Sequence, residues 1–290
     1  MQAIILLIQG KLLMDRQKRI EIQIPDETIH EASQIFSINN PYLMVGDNLN
    51  QIIDDINLQL LNPSLDSDFQ ATFRLSLITA FQYIEALSDR QALEAIRKRI
   101  DWKYALFLPI NHPGISGNSL CDFRQSLCFS SKALEEFGNL LEILGDFGFF
   151  TASSSPWLNP KETLLMICQT NRVFNVVRGM KSALGLVVSI APEWVKGQVS
   201  PHWYQRYKTG PLRRQDISQI PDFQTYANQI GSDIFALLTA LNKGDAPDLS
   251  TKAEIRHLTR LFQEYYFQNG DIIQWRAPGC ANCVCNNQFF

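Results

Sequence analysis

The chain lacks a marked excess of charge. Its 26 Lys and Arg stand against 29 Asp and Glu, for a formal net charge of -3 and a pI near 5.8. A protein that coats nucleic acid over its whole surface needs a strong positive excess, so any DNA contact must rest on local patches. Histidine is scarce: His30, His112, His202 and His257 are the four present, and none pairs with a motif-like Ser or Cys nucleophile. No glycine-rich phosphate loop of the P-loop or Rossmann kind occurs. Neither an internal repeat nor a heptad array is found. The apolar run at the start of the sequence is short as well. The opening QAIILLIQGKLLM is too short to span a bilayer and lacks both the basic lead and the small-residue cleavage site of a secretory signal. The expectation is a cytoplasmic protein with no membrane role. Cysteine is too sparse for a disulfide scaffold in a chain this long, and three of the six crowd the last eleven residues.

What is present is core. With 46% hydrophobic residues in 290, the chain has material for one large or two modest packed domains, and nothing in it is collagen-like or fibrous. The patterning is helical almost throughout. Pro25 precedes Asp26 and Glu27, acids that favour a helix start. Asn40-Pro41-Tyr42 reads as a turn. Phe69 to Leu87 carries one apolar stripe of Phe73, Leu77, Ala80, Phe81, Ile84 and Leu87. Lys132 to Leu144 turns Leu134, Phe137, Leu141 and Leu144 inward and has Gly145 as a stop. Thr151 to Pro156 is punctuation and the best boundary. Asn159-Pro160 opens a helix that reaches about Ile190, with interruptions expected at Gly179 and Gly185. Helices follow over Asp222 to Leu241 and Thr251 to Phe267, the latter with a Thr251–Glu254 capping box. Asn269-Gly270 is a turn, and Ile272 to Trp275 a short strand. Residues before Pro25 fit either strands, at Ile4 to Ile8 and at Arg16 to Ile24 with its alternation Ile20, Ile22, Ile24, or a loosely packed extension.

The most organised stretch is LSDRQALEAIRKRIDWKYALFLPINHPGISGNSLCDFRQSL, Leu87 to Leu127. Ser88 and Gln91 form a capping box at the head of a first helix. Ala92, Leu93, Ala95, Ile96 and Ile100 recur at helical spacing, leaving Arg90, Arg97 and Lys98 on the other face. Asp101 to Leu106 continues as a second helix with Trp102 and Tyr104 as packing groups. Asn111, Pro113, Gly114 and Gly117 make a loop, and Ser119 caps a last helix with Arg124 on its polar side.

The words LSDRQ, DWKYAL and FRQSL in this register resemble the InsH-type N-terminal domain of bacterial insertion-sequence transposases, the kind joined to a DDE catalytic core. The segments ASQIFSINNPYLMVGDNLNQIIDDINL, NRVFNVVRGMKSAL, SIAPEWV, ANQIGSDIFALLTAL and IRHLTRLFQEYYFQNGDIIQWR extend the likeness from about Pro25 to Arg276. The resemblance implies a partition into an extension (1-24), an InsH-type helical DNA-binding domain (25-150), a helical middle region (151-276) and an unstructured tail (277-290). The expected fold class is mainly α, a helical bundle with a helix-turn-helix-like N-terminal domain followed by a second helical region.

In DDE enzymes three carboxylates hold two divalent ions, usually Mg²⁺, at the scissile phosphate. The resemblance places the first carboxylate in a Q-R-T-D-S-T-H segment shortly after a turn that here is Gly148-Phe149-Phe150. Counting on, the position falls on Asn159 within SPWLNPKET. A neutral amide does not supply the charge that draws two metals together. The other two carboxylates belong beyond the Trp275-Arg276 segment, where the likeness stops. The chain is therefore expected to be an N-terminal portion without its own catalytic carboxylates, ending in out-of-frame peptide from about Gly279, and to hold no cofactor. Cys280, Cys283 and Cys285 have a spacing that suits a soft metal, but no fourth ligand is near, so a plain tail is expected.

Two basic patches are candidates for DNA. One is Arg90, Arg97, Lys98, Arg99 and Lys103, with Arg124 on the following helix; in a helix-turn-helix arrangement Ser119 to Leu127 would read bases while the Arg97–Arg99 face clamps phosphate. Taken as charge alone, the same residues read as a solvated face balanced by Asp89, Glu94 and Asp101. The other patch is Lys196, Arg206, Lys208, Arg213 and Arg214, interleaved with Trp203, Tyr204 and Tyr207 and free of acids up to Gln215. Its plainer reading is a connector whose aromatics plug the core. The function implied is binding of double-stranded DNA at transposon ends. Two rivals stand beside it: an active metal-dependent strand-transfer enzyme, and a module that self-associates or pairs with intact transposase and inhibits it.

Overall fold

A computed structural model describes residues 22–61, 68–149, 159–198, 200–208, 223–243, 246–270 and 272–276. The expected strand at Ile4 to Ile8, the part of the second strand before residue 22, the boundary at 151–156 and the cysteine tail lie outside the described residues, and residues 22–24 form no strand. Within them the protein is mainly α, as the patterning predicts, with one two-stranded antiparallel hairpin near residue 270.

The helices begin where the backbone donors find acceptors. α1 (Asp26–Ile35) follows Pro25 in the cap position, with Asp26 and Glu27 in its first turn. The expected turn at Asn40-Pro41 is instead the head of α2 (Pro41–Asp47): the Asn40 side chain accepts from the Tyr42 and Leu43 amides, and Pro41 has no first-turn donor to lose. α3 (Leu49–Asp55) and α4 (Leu58–Leu61) are short. α5 (Phe69–Ile84) starts on Asp68, whose side chain accepts from Gln70 N at 2.9 Å. Its predicted stripe of Phe73, Leu77, Ala80, Phe81 and Ile84 is buried, but the helix stops before Leu87, because Ala86 takes a positive φ of 50°.

α6 (Asp89–Lys98) carries the full Ser88–Gln91 capping box. Arg99 is extended and separates α6 from α7 (Ile100–Ala105). α8 (Gly117–Phe129) is capped by Ser116, which accepts from Asn118 N at 3.2 Å; Ser119 lies inside the first turn and caps nothing. α9 (Ser131–Leu144) runs on past Gly145, which stays right-handed, into a π turn at Gly145–Phe149, where Gly148 supplies the left-handed φ of 81°.

α10 (Pro160–Ile190) is capped by Asn159 and continues for 31 residues without a break at Gly179 or Gly185. At 1.5 Å per residue it is about 46 Å long. It is long and apolar enough to cross a membrane, yet its buried residues, from Leu164 to Val187, are shared between both cores of the protein. α11 (Pro192–Gln198), α12 (Pro201–Lys208), α13 (Phe223–Leu241) and α14 (Ala253–Tyr265) follow. The Thr251–Glu254 box does not form. Asp248 takes the Ser250 amide and hydroxyl, Lys252 N bonds Leu249 O, and the chain finishes that turn before α14 begins. Phe267, expected in the helix, lies on β1 (Tyr266–Asn269), which pairs with β2 (Ile272–Trp275) from Tyr266↔Trp275 to Asn269↔Ile272, with Gly270 at φ 60° in the turn.

Two large hydrophobic clusters result, beside a small third of Ala32, Leu43 and Tyr104. The first joins α2 to α9 and the start of α10, through Leu164 and Ile167. The second begins at Val173 on the same helix and gathers α11 to α14 and the hairpin.

Candidate nucleic-acid interface

The acid and base words of Leu87–Leu127 meet in the interior. Asp89 opens α6 and is 5% exposed; Arg124 in α8 is fully buried. Arg124 Nη2 donates to Asp89 Oδ2 at 2.7 Å, and Nη1 to Gln82 Oε1 at 3.0 Å. Gln82 Nε2 closes the triangle on Asp89 Oδ1 at 2.6 Å, and the Asp89 amide donates to Asn171 Oδ1, also at 2.6 Å. Four helices, α5, α6, α8 and α10, are tied at one point. Burial alone would push the Asp89 carboxyl up. The Arg124 guanidinium, with the hydrogen bond from Gln82 and the Asn171 side chain alongside, outweighs it and holds the group below the usual carboxylate range. Arg124 is thus corrected from a polar-face DNA contact to a core residue, because a buried carboxylate requires its charge and donors.

A second network sits under the α6–α7 break. Arg99 bonds Asp101 through Nε (3.0 Å) and Nη2 (2.6 Å), and Glu85 through Nη1 at 2.6 Å. Trp102 Nε1 donates to Glu85 Oε1 at 3.0 Å, and the Tyr42 hydroxyl donates to the same oxygen. The guanidinium also lies 5.2 Å from the Tyr42 ring centroid and 5.3 Å from that of Trp102. Arg99 is one-third exposed, so it borders the surface, but both of its acids are internal partners. Lys103 is 5% exposed and donates its ammonium to the Ile110 carbonyl, so it fastens the loop after α7 instead of presenting charge.

What stays outside is a smaller set. Arg90, Arg97 and Lys98 are exposed on α6, with Glu94 between them bonding Lys98 at 2.5 Å. Arg97 lies along the 109–116 loop: a Cβ at Gly114, whose φ is 103°, would stand 2.9 Å from Arg97 Cγ. His112 accepts from Gly114 N at 3.1 Å within that loop. Its pKa is lowered by partial burial first, then by Arg74 and Lys103. Arg74, the lone cation of α5, has its guanidinium carbon 4.3 Å from the Phe107 ring centroid. Arg74, Arg97, Lys103 and His112 therefore converge on one loop. Sequence reasoning misses Arg74 and His112; a single arginine inside the apolar run TFRLSLITAF is the signal it offers.

Residues 50–126 match the family model described as Transposase domain (DUF772). This stretch is similar to a transposase domain. No curated protein and no solved structure matches the chain. The likeness points to a role in transposition. The transposase-like stretch contains both halves of the Asp89–Arg124 pair and the Glu85, Arg99, Asp101 and Trp102 network, so much of its signature is spent on folding.

The second patch is also drawn inward. Arg206 and the Tyr207 hydroxyl both bond Asp233 of α13, the latter at 2.8 Å, and Trp203 and Tyr207 are 5% and 8% exposed within the second core. Asp233, nearly thirty residues on, supplies the acid that the local sequence lacks. Lys196 is exposed and pairs with Glu193 at 2.7 Å. Arg213 and Arg214, and the side chains of Tyr204 and Lys208, lie outside the described residues. Asn159 spends its amide oxygen on Lys161 N (2.9 Å) and Glu162 N (3.4 Å), an arrangement that does not fit a metal ligand. Among the described residues, no three His, Cys, Asp or Glu side chains gather as a metal centre requires.

Proposed function

We propose that the chain is a DNA-contacting part of a transposase of the InsH, DDE-linked type and that it binds duplex DNA at transposon ends. The carrying observation is that the transposase-like stretch buries its paired charges yet leaves Arg90, Arg97 and Lys98 exposed, with Arg97 against a loop that also collects Arg74 and His112. These groups form a shoulder suited to the phosphate backbone. α8 offers no exposed Lys or Arg. Its first two turns carry the accessible polar groups Asn118, Ser119 and Asp122, of the kind that read base edges. Strand cleavage is not assigned to Asn159, whose side chain caps a helix.

The test is fluorescence anisotropy at several salt concentrations, comparing the terminal repeat of the encoding element with a scrambled duplex of equal length. Tighter, steeply salt-dependent binding to the repeat is expected, with Arg97→Ala weakening both duplexes alike. Equal weak binding of the two duplexes would reject the assignment to transposon ends.

A further inference from the structure

The longest helix and the helix packed most closely along its second half bring another set of cations together. Gly179 lets α14 come in: a Cβ there would lie 2.7 Å from Leu261 Cδ1, 3.6 Å from Leu258 Cδ1 and 3.9 Å from His257 Cδ2. Arg178, next to that contact, is exposed, as are Arg256, His257 and Arg260 along α14. After Glu162, α10 holds no acidic residue through Ile190, while it carries Arg172, Arg178 and Lys181. Arg172 is taken out of the surface set by burial against the Tyr265 and Trp275 rings, at 4.5 and 5.0 Å. Glu254 and Glu264 are the acids of α14 and flank the cations at its two ends.

We propose that the α10–α14 ridge, built from Arg178, Arg256, His257 and Arg260, is a second contact for the phosphates of duplex DNA, separate from the α6 shoulder. The ridge is positive on a chain whose net charge is -3, and that contrast separates it from an evenly solvated helix face. The field at His257 agrees: burial first, then Arg260 and Arg178, lower its pKa against the opposing pull of Glu264. Arg256 and Arg260 stand one turn apart, about 6 Å along the helix, so they can meet neighbouring phosphates of one strand. This inference rests on the DNA-binding reading, and its test keeps the two apart.

Anisotropy of a labelled duplex of about 20 base pairs is measured against salt for the full chain and three double variants. The Arg178→Gln, Arg260→Gln variant is expected to flatten the log K against log salt slope by ~1.8, at ~0.9 for each phosphate no longer neutralised. The Arg178→Lys, Arg260→Lys variant is expected to keep the slope, which separates the removal of charge from damage to the fold. Arg97→Gln with Lys98→Gln reports the α6 shoulder. If only that last pair changes the slope, the ridge proposal is overturned while the DNA reading survives. If the unaltered chain binds no duplex, both fall.

Discussion

At the scale of single residues, the Asp89–Arg124–Gln82 triangle decides what the signature residues are for. Removing either charged member strands a buried charge, which costs about 3–5 kcal/mol, against about 1 kcal/mol for an average point change. Asp89→Asn and Arg124→Met are each expected to destabilise on that larger scale in urea unfolding. Replacing both also strands the two ends of the Gln82 amide, at ~1–3 kcal/mol. Only a triple change that adds Gln82→Met should approach the starting stability. The same carboxyl sets a pH response. Its folded pKa lies below the ordinary value of about 4, so as pH falls the unfolded chain takes up this proton first. The stability contributed by the pair is present above pH ~4 and is lost as pH drops through the folded pKa. Urea midpoints that fall from pH 5 to pH 3 in the parent and stay flatter in Asp89→Asn would bear this out. An equal fall in both would assign the acid sensitivity elsewhere.

The burial of Arg124 is legible in part. Leu120, Phe123, Arg124 and Leu127 are a run at i, i+3, i+4 and i+7, so position 124 lies on the inward stripe of α8. Charge alone argues for the outside. Burial is tolerated only because α6 brings Asp89, and a partner 35 residues away is not visible in local periodicity. Arg206 follows the same course, since its acid, Asp233, comes from a distant helix.

At the scale of elements, sequence chemistry locates helices better than their ends. Asn-Pro opens α10 as expected, yet the identical pair at Asn40-Pro41 reads as a turn in the sequence, because both uses satisfy the same free amides. Likewise Ser116 and Ser119 both precede an apolar run, and only the extended backbone at Ser116 makes it the cap. Ser116→Ala is expected to cost about 1 kcal/mol and Ser119→Ala only a few tenths, both read from thermal melts; the reverse order would move the start of α8. Gly231 sets a second element-scale test. A Cβ there would overlap the Tyr266 ring and stand 2.8 Å from Ile273 Cγ2, so α13 sits against the hairpin only without a side chain. Ala gains ~1 kcal/mol of helix propensity, but overpacking costs ~1–3 kcal/mol. Gly231→Ala should therefore destabilise by up to about 2 kcal/mol, while Gly185→Ala, with open space around it, should stabilise.

At the scale of the whole molecule, the two cores share one uninterrupted helix. Ile167 belongs to the first cluster and Val173 to the second, less than two turns apart on α10. Between them Asn171 accepts from the Asp89 amide of the first core, while Arg172 stacks on Tyr265 and Trp275 of the second. Loss of either core would leave its stretch of α10 unsupported beside the stretch on which the other core packs, and short isolated helical segments are marginal in water. Helix content and tryptophan emission should then unfold in one coincident transition. Leu141→Ala in the first core and Leu258→Ala in the second, each costing about 2–5 kcal/mol, should both lower that single midpoint. Separate transitions, with each variant shifting one, would mean that α10 divides near residue 170 and that the α6 shoulder and the α10–α14 ridge move independently. A single transition would hold the two basic surfaces at a fixed spacing, the condition under which one duplex could engage both.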